Sequence, residues 1–210
     1  MQLTRTDDGF TLVESLLAIV ILGIISIPLS GLLIAYLHNV DATQARLLEN
    51  HDAQLAANYF AQDVASIGTR DSADPPALLQ SVETAVAYNA GLYPCGAVGT
   101  PTAVVRFAWD DFTTAISGAQ QVRVAYVVKT VGTETQLHRI TCVGSATPAT
   151  DRVVAHELAS GAPPTVTCST SCAGAGSSVP RTVTLTMTMK APQNTSGNYV
   201  TVLTGTRRQS

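Results

Sequence analysis

The sequence predicts an α+β chain, in which one long N-terminal helix is followed by antiparallel strands. Three observations predict it. An uncharged apolar run opens near the N-terminus, and a hydrophobic rhythm of three and four residues continues from it. Beyond a cluster of Gly, Asp, Ser and Pro at Gly68 to Pro76, the rhythm changes to alternation with a period of two.

The apolar run comes first. From Ser15 to Leu37 there are 23 residues without a charge. As a helix rising ~1.5 Å per residue they extend about 35 Å, enough for a hydrocarbon core of about 30 Å. A cleavable secretory signal has a shorter apolar core of roughly 7 to 15 residues, with its small-residue cleavage site after it. Here the small residue at a junction, Gly9, precedes the run. Cutting after Gly9 therefore keeps the helix and creates an amino group on Phe10, one helical turn from Glu14. A carboxylate at bilayer depth costs a few kcal/mol and marks a functional site by default.

The string Gly9-Phe10-Thr11-Leu12-Val13-Glu14, followed by Ser15-Leu16-Leu17-Ala18-Ile19-Val20, resembles the cleavage and methylation segment of bacterial type IV prepilins and type II secretion pseudopilins. The resemblance covers about the first 30 residues. It implies that a membrane-embedded prepilin peptidase cuts after Gly9 and methylates Phe10, and that Glu14 serves filament assembly. It also implies the pilin fold. The physics agrees: a Phe10 ammonium on a neighbouring subunit pairs with an embedded Glu14 and sets the axial register between helices, the best-attested role of a buried polar group. The competing reading places Glu14 at the headgroup boundary of an ordinary signal anchor. In the leader, Met1 to Gly9, Asp7 and Asp8 accompany Arg5, a departure from more basic leaders. Acidic residues weigh little in orientation, so Arg5 and the Met1 amine favour a cytoplasmic N-terminus and an extracytoplasmic C-terminus.

The division that follows is a leader at 1–9, a transmembrane half-helix at 10–37, an amphipathic half-helix at 38–67 and an extracytoplasmic β-rich domain at 68–210. Pro28, between Gly23 and Gly31, removes a helical hydrogen bond, so a bend or local melting is expected from Ile24 to Pro28. By the resemblance it is a helix hinge on assembly; the alternative is a simple kink. In the second half Leu48, Leu55, Tyr59, Phe60, Val64 and Ile67 form the predicted buried stripe, with Arg46, Glu49, Asp52 and Gln62 as polar positions between.

Strands are predicted around Val105, Phe107 and Trp109, at Val122 to Val128, and at Leu137 to Cys142 and Arg152 to Leu158. The clearest is Thr182 to Lys190, where Val183, Leu185, Met187 and Met189 alternate with threonines, one face buried and one wet. Tyr199 to Thr204 pairs with it through a turn at Asn194 to Asn198. Ala159 to Pro164 and Ala173 to Ser178 read as loops.

The 210 residues, 46% hydrophobic and 13% charged, suit an anchor plus one globular domain. Without the leader, 11 basic residues stand against 13 acidic ones, which gives no electrostatic footprint for nucleic acid. Cys95, Cys142, Cys168 and Cys172 all lie beyond the membrane segment, facing an oxidising space. Three pairings are open. The polar loop Cys168-Ser169-Thr170-Ser171-Cys172 can fold back on itself, which favours Cys168 with Cys172 and Cys95 with Cys142. By chain entropy these closures contribute about 2 and about 4 kcal/mol. A metal site is the competing reading, and no histidine adjoins the pair.

No catalytic arrangement is evident. His38, His51, His138 and His156 lack ligand spacing, and the neighbours Asp110 and Asp111 point to opposite strand faces. Gly174-Ala175-Gly176 lacks the lysine of a phosphate loop, and Asn194-Thr195-Ser196 reads as a turn. No enzyme activity, cofactor or metal is expected. The resemblance points to a structural subunit, a minor pilin or pseudopilin of a type IV pilus or type II secretion-like filament. Length, the broad β-rich domain and two disulfides suit the larger minor subunits, including J-class pseudopilins. Its implied partners are other pilin or pseudopilin subunits, prepilin peptidase, an assembly platform protein and membrane lipid. The alternative is a single-pass anchored protein whose external domain binds a ligand without joining a filament.

Overall fold

The computed structural model describes residues 11–71, 77–112, 120–173, 178–190 and 197–208. Among these residues one helix, α1 (Leu12–Ser66), precedes ten strands. These are β1 (Thr69–Arg70), β2 (Leu78–Leu79), β3 (Val82–Val86), β4 (Ala103–Asp111), β5 (Gln120–Val131), β6 (Glu134–Val143), β7 (Pro148–Ala155), β8 (Thr165–Cys168), β9 (Thr182–Met189) and β10 (Tyr199–Thr206). The chain forms two compact units, Met1–Arg46 and Leu47–Ser210, and the division falls inside α1.

In the first unit, Thr11 caps the helix. Its carbonyl accepts from Ser15 N at 3.2 Å and its Oγ1 from Glu14 N at 3.3 Å, which satisfies amides that would otherwise lack partners. The segment Leu12–Val40 has a mean hydropathy of 2.7, and none of it is buried in the protein. It is long and apolar enough to cross a membrane. The α-helix runs through Pro28 without a break, so the local melting expected from Ile24 to Pro28 is not found in this state. Ser26 and Ser30 donate their hydroxyls to Leu22 O at 2.6 Å and Ser26 O at 2.8 Å, keeping these polar groups satisfied inside the helix.

In the second unit, β3 to β7 form a five-stranded antiparallel meander in sequence order. A second sheet has the order β10-β9-β8, and β1 pairs with β2. The helix residues Ala56, Phe60 and Val64, and Ile67 just after the helix, enter one core with Val105, Phe107, Val124 and Tyr126 of the meander and Val183, Leu185, Met187 and Leu203 of the smaller sheet. At its centre Phe60, Phe107 and Tyr126 meet edge-to-face, with centroids 5.6 to 6.0 Å apart. β9 shows the strict alternation, with Val183, Leu185, Met187 and Met189 buried and its threonines half-buried. Its register runs from Thr182↔Thr206 to Met189↔Tyr199 on β10. The turn residues 191–196 lie outside the described residues, as do 72–76 and 174–177.

Gly205 marks where the smaller sheet meets the helix. A Cβ there would stand 2.4 Å from Val64 Cβ, so only glycine permits the approach. The other face of the meander is covered as well. Cys95, Ala103, Ala125, Val127, Ile140 and Cys142 form a smaller buried cluster there. Central strands buried on both faces explain why Ala103 to Asp111 lacks clean alternation in the sequence.

The structure corrects two expected boundaries. The strand read as Arg152 to Leu158 is Pro148–Ala155, so His156 lies beyond it, and Leu158 makes an isolated bridge to Met189. The buried helix stripe is Asp52, Ala56, Phe60, Asp63, Val64 and Ile67, with Leu55 and Tyr59 only half-buried at its margin. Asp52, one of the polar positions between the apolar ones, is buried, and His156 supplies its hydrogen bonds. The side chains of Arg46, Leu48 and Glu49 lie outside the described residues.

Candidate functional site

Glu14 is the third residue of α1, where an acidic side chain faces the positive end of the helix dipole. It is exposed, and no basic group pairs with it among the described residues. Thr11-Leu12-Val13-Glu14 has the spacing of a capping box, of which the Glu14 N to Thr11 Oγ1 bond is one half. Gly9 and Phe10 lie outside the described residues. Leu16, Leu17, Ile19, Val20 and their successors up to Leu37 are exposed all round the helix. An apolar surface of that extent belongs in lipid or against other helices.

The second half of α1 carries two buried aspartates 11 residues apart, three turns along one face. Asp63 is 1% exposed and accepts three bonds: from Arg139 Nε at 2.7 Å, Arg139 Nη2 at 2.6 Å and Tyr126 Oη at 2.7 Å. The Arg139 guanidinium stands 5.0 Å from the centre of the Tyr59 ring and donates to Thr141 Oγ1. Burial alone would lower the Arg139 pKa, but its bonds to Asp63 and the carboxylate charge raise it. Burial, then the nearby charge of Asp63, pushes the Tyr126 hydroxyl well above its ordinary value, so it stays a donor. Asp52 Oδ2 accepts from His156 N at 2.9 Å and lies 2.8 Å from His156 Nδ1. Asp63 thus fixes the helix to β5 and β6, and Asp52 fixes it to the segment after β7.

A third polar cluster holds the loop on the far face of the meander. Arg106, fully buried in β4, donates from Nη1 to Glu83 Oε2 at 3.1 Å and to Ala90 O, and from Nη2 to Ala87 O. Burial lowers the Arg106 pKa, and Glu83 opposes that. Glu83 in turn accepts from Leu92 N at 2.6 Å. Gly91, with φ 81°, lets the loop approach, since a Cβ there would meet Glu83 Oε1 at 2.3 Å. The Cys95–Cys142 disulfide closes the same loop onto β6, and Cys168–Cys172 closes the loop after β8.

The sequence-predicted residues therefore fall into separate places. Glu14 and Pro28 lie on the exposed first half of α1, and the four cysteines lie in the β-rich unit. Asp110 accepts from Arg70 N at 2.8 Å. His138, 9% exposed, sits between Asp151 and Gln136. Asp151 also pairs with Lys129; burial would raise its pKa, but these two partners hold it below its ordinary value. Among the described residues, no group of three or more His, Cys, Asp or Glu is placed to hold a metal ion. The sequence reading missed Asp63, Arg139, Glu83 and Arg106. A signal for Asp63 was present, since it shares the face of Asp52, Ala56, Phe60 and Ile67.

A capped helix start with one acidic side chain, opening a lipid-compatible run ahead of a folded β domain, defines a chain anchored by its N-terminal helix. Residues 4–30 match the family model described as the prokaryotic N-terminal methylation motif. The chain carries this prepilin-type cleavage and methylation segment. Neither the comparison with curated proteins nor that with solved structures gives a match. The motif is that of a structural, pilin-like substrate of processing, anchored in the membrane.

Proposed function

We propose that the protein is a minor pilin or pseudopilin, cut after Gly9, methylated on Phe10 and assembled through α1 into a type IV pilus or type II secretion-like filament. One observation carries this reading: the Gly9 to Glu14 segment, within the matched residues 4–30, precedes in sequence an apolar half-helix that is exposed along its length. Cleavage supplies the cation, the Phe10 ammonium, that Glu14 lacks among the described residues. Pairing between neighbouring subunits then offsets the cost of holding Glu14 in an apolar surround. Pro28 serves as the hinge that lets the apolar half adjust when subunits pack. Before assembly the chain crosses the cytoplasmic membrane once, with its N-terminus cytoplasmic, and its β-rich domain, closed by two disulfides, faces outward. Prepilin peptidase, a platform protein, membrane lipid and other subunits are its partners. Asp52 and Asp63 couple the outer domain to the helix that enters the filament.

The test is Glu14→Ala in the cell that makes the protein. The variant is expected to be cut normally and to remain in the membrane, yet to be lost from the sheared filament fraction. Incorporation equal to wild type would refute the pairing role.

A further inference from the structure

Among the described residues, β10 is the least protected sheet edge. An exposed row of N–H and C=O groups templates pairing with another chain, and natural sheets blunt their edges with short strands, charges, prolines and bulges. β1 and β2 have two residues each. β3 has five, and its pairing with β4 skips Ala85, whose φ is 54°. β7 begins at Pro148, carries Asp151 and Arg152, and slips register twice against β6. β8 has four residues, follows Pro163 and Pro164, and ends in the Cys168–Cys172 bridge.

β10 has none of these devices. Its eight residues contain no charge and no proline, and they pair with β9 through an unbroken register on one side only. Among the described residues, no backbone hydrogen bond forms on the other side. Val200 and Val202 are 62% and 56% exposed on the outward face, while Leu203 and Gly205 are buried on the inward one. At the Thr206 end the backbones of Arg181 and Arg207 are joined by a hydrogen bond of 2.8 Å. Arg181 and Arg208 are both exposed there, and neither is ion-paired among the described residues.

We propose that β10 docks an extended strand of a different polypeptide, added antiparallel, with an uncharged alternating body and an acidic residue at its N-terminal end. Backbone geometry defines the body, because only another β-strand presents donors and acceptors at the period of an edge. Antiparallel pairing is the more stable per residue, and it places the incoming N-terminal end beside Thr206, next to Arg181 and Arg208. The two exposed guanidinium groups define the acidic end by charge complementarity. A second copy of β10 fits the body but not the flank. Paired antiparallel about Val202, it brings Asn198 to Thr206 and no carboxylate to the arginines.

The test uses the full chain in detergent micelles and a fluorescent peptide of about ten residues, two aspartates followed by alternating threonine and valine. The control peptide has lysines in place of the aspartates. The aspartate peptide is expected to bind at least about tenfold more tightly than the lysine one. It should also slow hydrogen exchange at β10 amides. Val202→Lys, at an exposed position, should weaken binding about tenfold with Trp109 fluorescence unchanged. Arg181→Glu combined with Arg208→Glu should reverse the preference between the peptides. Equal affinity for both peptides, absence of binding, or protection outside β10 would overturn the proposal. So would concentration-dependent dimerisation abolished by Val202→Lys, which assigns the edge to a second copy. None of these outcomes depends on cleavage after Gly9.

Discussion

Replacing Asp63 with Ala removes the acceptor of three hydrogen bonds and leaves the Arg139 guanidinium, 13% exposed, without its counter-charge. Breaking a buried pair by deleting one partner costs about 3 to 5 kcal/mol, because the remaining charge stays desolvated. Against a total stability of about 5 to 15 kcal/mol, that is a large fraction. Trp109 is the single tryptophan and packs against the core from β4, so its fluorescence reports unfolding of the β-rich unit. In urea titrations of the full chain in detergent micelles, a slope of about 2 kcal/mol/M converts the loss into a midpoint lower by about 1.5 to 2.5 M. The triple variant Asp63→Leu, Tyr126→Phe, Arg139→Met removes all the partners together and should recover most of the loss, since apolar replacement of a buried ionic group is often neutral. A loss below about 1 kcal/mol in Asp63→Ala would refute the reasoning, because that is the size of an ordinary solvated hydrogen bond. A triple variant no more stable than the single one would refute it too.

Two further predictions concern the same core. Gly205→Ala forces a Cβ against Val64, and overpacking of this kind costs about 1 to 3 kcal/mol; adding Val64→Ala should return part of it, measured by the same urea midpoint. Tyr126 has a raised folded-state pKa, so the stability it contributes is present below its ordinary value of 10.0 and is lost as pH rises above that value toward the folded one. Unfolding free energy should therefore fall steeply on the alkaline side of pH 10.0 in wild type and less steeply in Tyr126→Phe; equal slopes would contradict the burial of that hydroxyl.

The parts of the fold legible in the sequence are those where one period dominates. Ser15 to Leu37 is uncharged throughout, and Thr182 to Met189 alternates without exception, so the membrane half of α1 and the strand β9 can be read directly. β4 is harder, because Arg106 and Ala108 are buried on the face opposite Val105 and Phe107 and the alternation is lost. β8 is too short to announce itself. The helix stripe shows in the sequence through its apolar members, which leaves Asp52 and Asp63 aside; both are buried because partners distant in sequence, His156 beyond β7 and Arg139 of β6, bring their donors to them. Likewise, nothing local pairs Glu83 with Arg106, since the two meet through the β3–β4 register. At the N-terminus the reverse holds: Gly9, Phe10 and Glu14 are legible as a motif because processing reads a linear segment, whereas a docked core is read only in three dimensions.

The proposed assembly depends on whether the chain is processed. The direct measurement is the intact mass and N-terminal fragment spectrum of the protein extracted from membranes of cells that contain a prepilin peptidase. The expected species begins at Phe10, carries one methyl group on its amine and lacks Met1 to Gly9. Recovery of a chain that still begins at Met1, with the peptidase active on another substrate in the same cells, would contradict the central claim.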